Sequence, residues 1–389
     1  MFFTFIRQFF ASLMFLLAFS GTLAAKPNIL LVIADDMGLD ASPCHRVGNQ
    51  RPRMPTLFGL CASGMVFDQA YTPPSCSPTR ATIMTGKYGF RTGIGSAISG
   101  KRNPVILSTS ETSLFDIFND QLPDYSTAVI GKWHLTLPKK GFNHPAQLGV
   151  PYYFGIYSGI AKSYYNWRAV ENGKTQRIEG YATTVLTDRA VKWVNEQDKP
   201  WFLWLAYNAP HKPYHAPPAN LHTYAEVRAG EKPKKNQNRV YYNAALQALD
   251  TELGRLLDSM TPETRNNTIV IFIGDNGTPN DVVDQVYAHR GAKTTIFQGG
   301  INVPMIVSGP GIAVGRSQDL VTTTDLFATI ASLAGATATT KDSIDITNAF
   351  RGQASNREFV YSEHFSVKKK KRGGVYGWAI RRRRRVSSF

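Results

Sequence analysis

Two unbroken apolar runs that end in acid constrain the fold most: NILLVIADD at residues 28–36 and TIVIFIGDNG at 268–277. A strand with one wet face alternates apolar and polar residues. A short run without alternation is a strand covered on both faces, as in a parallel sheet. YSTAVIGKWH (125–134) and PWFLWLAYNAPH (200–211) have the same form, and INVPMIVSGPG (301–311) is a fifth candidate strand. Helical periods separate several of them. TTVLTDRAVKWVNEQ (183–197) brings Val185, Ala190, Val191 and Val194 near one face, and residues 241–260 do so with Ala245, Leu246, Leu249, Leu253, Leu256 and Leu257. This alternation predicts an α/β fold with a large central, mostly parallel sheet flanked by helices on both faces. Sites in such sheets form beyond the carboxyl ends of the strands, where the first four runs carry polar or ionisable residues.

The chain has 389 residues, enough for one large α/β domain or two ordinary ones, and its 43% hydrophobic content excludes global disorder. Residues 1–25 read as an export signal: Arg7, an apolar stretch from Phe9 to Phe19, and a small-residue cleavage site at Thr22–Ala25. That stretch is short for a membrane span, the alternative being an N-terminal anchor. The expectation is a periplasmic or secreted protein with no stable span after cleavage, in an oxidising compartment. Three cysteines leave at least one thiol unpaired. If that one is Cys76, then Cys44 and Cys61 are either a disulfide or two buried thiols.

The net charge of +16 invites a nucleic-acid reading, but KKKKR at 368–372 and RRRRR at 381–385 supply ten positive charges, and 16 less 10 leaves +6. Without stacking aromatics beyond Tyr376 and Trp378, these runs read as a solvated tail, and no specific nucleic-acid partner is expected.

Asp35 and Asp36 close the first run, and Asp275 and Asn276 close a second. A pair of carboxylates can simply cap a helix. Three carboxylates and an amide brought to one sheet edge suit a hard cation, Ca²⁺ or alternatively Mg²⁺. Lys132 and His134 alternate on an extended segment; His211 lies between prolines at a strand end, and Lys293 follows in HRGAK. Beside a cation these form a basic pocket for an anion, with acid and base catalysts at hand. Cys76, in PPSCSPTRATIMTG, has Ser75, Ser77, Thr79 and Arg80 around it, so it is a candidate reactive centre as well as a candidate core residue. A thiol phosphatase would need five residues between Cys76 and an arginine; Arg80 follows after three.

These motifs resemble those of the type I, formylglycine-dependent sulfatases of the alkaline phosphatase superfamily. CSPTR matches the C-x-P-x-R signature, and PNILLVIADD, GKWHL, HKP, GDNG and GAKTTIFQGGINVP follow in order across roughly residues 27–335. The resemblance implies an alkaline phosphatase-like fold and hydrolysis of a sulfate ester through a metal-bound formylglycine hydrate derived from Cys76. A formylglycine-generating enzyme would act on the extended signature. Asp35, Asp36, Cys76, Asp275 and Asn276 would hold the metal. Arg80, Lys132 and Lys293 would stabilise charge, His211 with Lys293 would protonate the leaving alcohol, and His134 would be the base that releases sulfate. Thr79 replaces a frequent serine, and Gln298 stands where glutamate is frequent. Relatives continue into a smaller antiparallel C-terminal subdomain. Here REFVYSEHFS reads as its approach and GWAI as its first strand before the arginine run, as though the subdomain were largely missing through truncation or a shifted frame. The expected division is signal 1–25, catalytic domain 26–365 and basic tail 366–389. Alternatives are phosphodiester or phosphonate monoester hydrolysis on the same fold, or an inactive polyanion-binding product. The substrate would be a sulfated small molecule or carbohydrate; Tyr152, Tyr153, Phe154, Tyr164, Tyr165 and Trp167 are candidates for a sugar-stacking wall.

Overall fold

A computed structural model describes residues 26–100, 104–228, 231–366 and 375–382. The expected export signal and most of both basic runs lie outside the described residues. Fourteen strands occur among those residues: β1 (Asn28–Ala34), β2 (Gly64–Phe67), β3 (Ala70–Tyr71), β4 (Ser126–Gly131), β5 (Tyr152–Gly155), β6 (Asn166–Glu171), β7 (Lys174–Glu179), β8 (Trp201–Ala206), β9 (Thr268–Gly274), β10 (Met305–Ser308), β11 (Gly315–Ser317), β12 (Val321–Thr322), β13 (Phe359–Phe365) and β14 (Val375–Arg382). Ten of them form one sheet in the order β11-β2-β10-β9-β1-β8-β4-β5-β6-β7. The five central strands, β9 to β5, are parallel to one another, and these include the four runs that end in polar residues. The fifth expected strand, β10, runs antiparallel to β9 and β2, so its approach from Lys293 reaches the same edge where the parallel strands end.

The unbroken apolar runs are explained by what covers them. Ile29, Leu31 and Ile33 of β1 enter one core, and Leu30, Val32 and Ala34 enter the other. The first is closed by helices that include Leu114–Gln121 and Asp325–Ala334, the second by Pro55–Ala62, Ala182–Asn195 and Asn238–Asp258. Each large apolar side chain buried this way contributes roughly 1.5–3 kcal/mol. In Ala182–Asn195 the stripe facing the sheet is Ala182, Leu186, Ala190 and Val194, four residues apart; Val185 and Val191 flank it and stay partly exposed. Helix Pro55–Ala62 has no capping side chain of its own; the buried Asp250 carboxylate accepts from the amides of Thr56 and Leu57 at 3.0 and 2.7 Å. Cys44 and Cys61 are joined as a disulfide, closing one of the two options left by the sequence.

The C-terminal reading needs one correction. REFVYSEHFS is itself a strand: β13 pairs antiparallel with β14, which contains GWAI, so the hairpin straddles the boundary expected at residue 366. Its inner side, Val360 and Ala379, packs on Tyr71, Ile301 and Leu320. No helix among the described residues is long and apolar enough to cross a membrane.

Candidate active site

Four neighbouring strands deliver the site. In sheet order β9-β1-β8-β4, their carboxyl ends lead into Asp275–Asn276, Asp35–Asp36, Asn208–His211 and Lys132–His134. Asp36 and His134 take left-handed backbone conformations, φ +75° and +54°, which turn each chain sharply off its strand at a cost in strain. Gly131 makes the turn after β4 feasible. It has φ +115°, and a Cβ there would lie 1.9 Å from the Ala206 carbonyl.

Opposite the strand ends stands the helix Cys76–Thr85, whose ten residues are all buried. Cys76 opens it, where free amides and the helix dipole favour negative charge. The helix is fastened through its own signature. Ser77 Oγ donates to the His134 carbonyl at 2.8 Å, Thr79 Oγ1 donates to the Asp275 carbonyl at 2.6 Å, and Arg80 donates to the Lys132 carbonyl at 2.8 Å and to Asp275 Oδ2 at 2.9 Å.

The acids and bases meet pairwise. Lys132 Nζ lies 2.6 Å from Asp35 Oδ2, Lys293 Nζ pairs with Asp36 Oδ1, and His211 Nε2 stands 3.6 Å from Asp36 Oδ2. The Asp36 amide donates to Asp275 Oδ1 at 3.0 Å, and Asn276 Nδ2 donates to Asp36 Oδ1 at 2.8 Å. Burial pushes the Asp35 carboxyl well above the usual range against the pull of Lys132. Asp36 is also buried, yet Lys293, His211 and Lys132 together hold it below that range. Burial disfavours the Lys293 ammonium, but Asp36, Cys76 and Asp35 together outweigh it and hold the amine above its ordinary value. Burial, then Lys293 and Lys132, overcome the attraction of Asp36 and push His211 down to about 3.

His134 is oriented by the other side of its ring. Its Nε2 faces the Ile98 carbonyl at 2.9 Å, so that nitrogen carries the proton, and Nδ1 presents a lone pair to Cys76 Sγ at 3.2 Å. Burial, then Lys132, holds this imidazole well below its usual value, so it is neutral and able to accept a proton from a group at position 76.

Three oxygens test whether a cation fits. Asp35 Oδ1, Asp36 Oδ2 and Asn276 Oδ1 are buried and have no hydrogen-bond partner among the described residues. Buried acceptors left without donors are costly, and a hard cation would satisfy all three at once. Oxygens of Asp35 and Asp36 and a nitrogen of His211 lie within 4.8 Å of one another. The donor set therefore suits Ca²⁺ or Mg²⁺. Asp275 differs from the other acids, since its two oxygens are already engaged by the Asp36 amide and by Arg80.

All the residues singled out in the sequence, Asp35, Asp36, Cys76, Arg80, Lys132, His134, His211, Asp275, Asn276 and Lys293, come to this edge of the sheet. Two further residues shape the site: Gly159, which was not singled out, and Tyr164, named in the sequence only for the stacking wall. Tyr164 Oη donates to the carbonyls of Asn208 and His211 at 2.6 and 2.7 Å, and so fixes the loop that carries His211. Gly159 lies so close to His134 that a Cβ there would be 2.2 Å from its Cε1. Neither has a local signal, because both act across more than twenty residues of sequence. Of the six candidates for a stacking wall, Tyr153, Phe154, Tyr164 and Trp167 are buried, Tyr152 is partly buried and Tyr165 is exposed.

A sulfatase family model matches residues 27–336. The chain is 30% identical to mouse N-acetylgalactosamine-6-sulfatase over 90% of its own length and 72% of that protein's. It is 28% identical to mouse arylsulfatase J over 80% of its length, but spans only 53% of that protein. Among solved structures, Ps i-CgsB in complex with k-i-k-neocarrahexaose superposes with a TM-score of 0.76 at 26% identity, covering 87% of this chain and 80% of that one.

Proposed function

Because the chain belongs to the sulfatase family, we propose that it hydrolyses a sulfate ester at the cluster around Cys76, within a catalytic unit expected over residues 26–365 onto which β14 of the expected tail is paired. The observation that carries this reading is the convergence of three unpartnered acid and amide oxygens with Lys132, His134, His211 and Lys293 at one sheet edge beside Cys76. Asp35, Asp36 and Asn276, with Asp275 beside them, would hold a divalent cation. That cation, together with the aldehyde hydrate expected in place of the Cys76 thiol, would supply an activated oxygen nucleophile.

The remaining work falls to the chain's own residues. Lys132 and Lys293 place positive charge where the equatorial oxygens of the sulfuryl group carry theirs, a role of positioning and electrostatics. Arg80 neutralises Asp275 and ties the Cys76 helix to the strand ends. Lys293, held protonated by Asp36, and His211 deliver the proton to the leaving alcohol; the negative charge of the substrate raises the proton affinity of His211. The lone pair on His134 Nδ1 accepts the proton from position 76 that sulfate release requires.

The mouse relative is named for N-acetylgalactosamine, and the Ps i-CgsB structure holds neocarrahexaose, which favours a sulfated carbohydrate as substrate. The Cys44–Cys61 disulfide supports export to the periplasm or beyond. Intact and peptide mass spectrometry of the exported protein, paired with a panel of sulfate and phosphate esters sharing one leaving group, tests the whole reading. The expected result is an aldehyde at position 76, a leader removed near Ala25, and turnover of the sulfate ester. An intact thiol with full activity, or preference for the phosphate ester, would overturn it.

A further inference from the structure

The strands β6 and β7 form a hairpin that outruns the sheet. Only Glu171 and Val170 of β6 pair with β5, at Phe154 and Gly155, so the stretch from Asn166 to Ala169 projects past the edge where the catalytic groups lie. In this projecting part Arg168 stands directly opposite Arg177, both exposed. Like charges in register across an antiparallel pair destabilise it, whereas opposite charges would stabilise it. Arg177 is steered by Asn166, whose Oδ1 accepts from its Nε at 2.9 Å; Arg168 has no carboxylate partner among the described residues.

The two arginines line a cleft of about 590 Å³ that also takes in Lys162, Phe142, Tyr157 and Ser158, and no acid lines it. The cleft adjoins the catalytic groups through a shared wall. The segment from Ile156 to Lys162 borders the cleft, and the same segment carries the Tyr157 carbonyl that accepts from the His134 amide at 3.2 Å and Gly159, packed on the His134 ring. Three cations converging without an acid recognise an anion, and guanidinium pairs suit the oxygens of a sulfate ester. The aromatic edges give a sugar ring an apolar surface to lie against.

We propose that this cleft binds a second sulfate ester, borne on the sugar next to the one being desulfated, so that the preferred substrate is a multiply sulfated oligosaccharide. This rests on the sulfatase reading above. The test uses the full mature protein and Arg168→Gln, Arg177→Gln and the double variant. Each is assayed on a disulfated disaccharide, its monosulfated counterpart and 4-nitrophenyl sulfate. The expected result is a loss of about tenfold in kcat/KM per arginine on the disulfated substrate, carried by KM, with the other two unchanged. Equal losses on all three substrates, or none on the disulfated one, would overturn the proposal. Melting temperatures check folding: removing one of two opposed like charges should leave Arg168→Gln as stable as wild type or more so, and Arg168→Thr, which keeps strand propensity, gives a second variant. Should wild type turn over no sulfate ester, the sulfatase reading fails separately. Calorimetry on the Cys76→Ala chain then still decides the cleft. Affinity for the disulfated disaccharide that falls in the double variant and with added salt upholds it, and affinity that the arginines do not alter, or that a carboxylated disaccharide matches, sinks it.

Discussion

At the scale of single residues, the proposed reading puts most weight on the side chain at position 76. Cys76→Ala should keep its fold, since the helix is buried and fastened through Ser77, Thr79 and Arg80, yet lose at least about a thousandfold in turnover of a sulfate ester. Steady-state kinetics beside a melting curve separates the two. A second prediction concerns His45, buried next to the disulfide with its ring nitrogens against Ser42 Oγ and the Phe67 carbonyl. Burial pushes its pKa from 6.5 down to about 4. A histidine depressed in the folded state contributes its full stability above pH 6.5, and that contribution drains away as the pH falls toward 4. At about 1.4 kcal/mol per unit the loss is about 3 kcal/mol, and His45→Asn should flatten the curve. Denaturant melts from pH 7 to pH 4 give the comparison. Much of the proposed site was legible at this scale because Asp35, Asp36, Lys132, His134, His211, Asp275 and Asn276 follow the ends of apolar runs. Tyr164 and Gly159 were not, because their roles depend on which loops the sheet brings together. Which of the aromatics between residues 152 and 167 face inward was not legible for the same reason: composition does not say which way a ring turns.

At the scale of elements, the central strands could be read from apolar runs alone, since burial on both faces leaves an unmistakable trace. The flanks could not. β6 and β7 carry polar residues on an exposed face, β11 and β12 are two or three residues long, and β10 gives no sign in sequence that it runs antiparallel. The β13–β14 hairpin was read one strand late, because REFVYSEHFS holds only three consecutive apolar residues, Phe359, Val360 and Tyr361, among polar and charged ones and so lacks the longer apolar run that marked the others. One tight element-level constraint is the packing of β4 on β8. Gly131→Ala would place a methyl 1.9 Å from the Ala206 carbonyl at a backbone angle alanine avoids. It should cost upward of about 2 kcal/mol and, by moving the chain just before Lys132, reduce kcat more than it raises KM. A variant as stable and active as wild type would show that the close approach of β4 to β8 does not matter.

At the scale of the whole molecule, the site ties four central strands and a buried helix into one network, so a cation bound there is linked to global unfolding. Titrating Ca²⁺ into metal-depleted protein should raise the melting temperature by several degrees and saturate; a hundredfold excess over Kd corresponds to about 2.7 kcal/mol. Asp36→Asn should abolish most of the rise, and a melting temperature indifferent to Ca²⁺ and Mg²⁺ alike would count against a cation in this cluster. The buried helix has a further implication. With Cys76 only 2% exposed and every residue to Thr85 covered, no protein-sized catalyst can grip this segment once the chain has closed around it. On the reading proposed above, a catalyst that converts the thiol would have to win a race against folding, and a molecule that lost would stay a silent copy for life. Specific activity would then record the speed of synthesis as much as the quality of the enzyme, and refolding a silent preparation would return none of it.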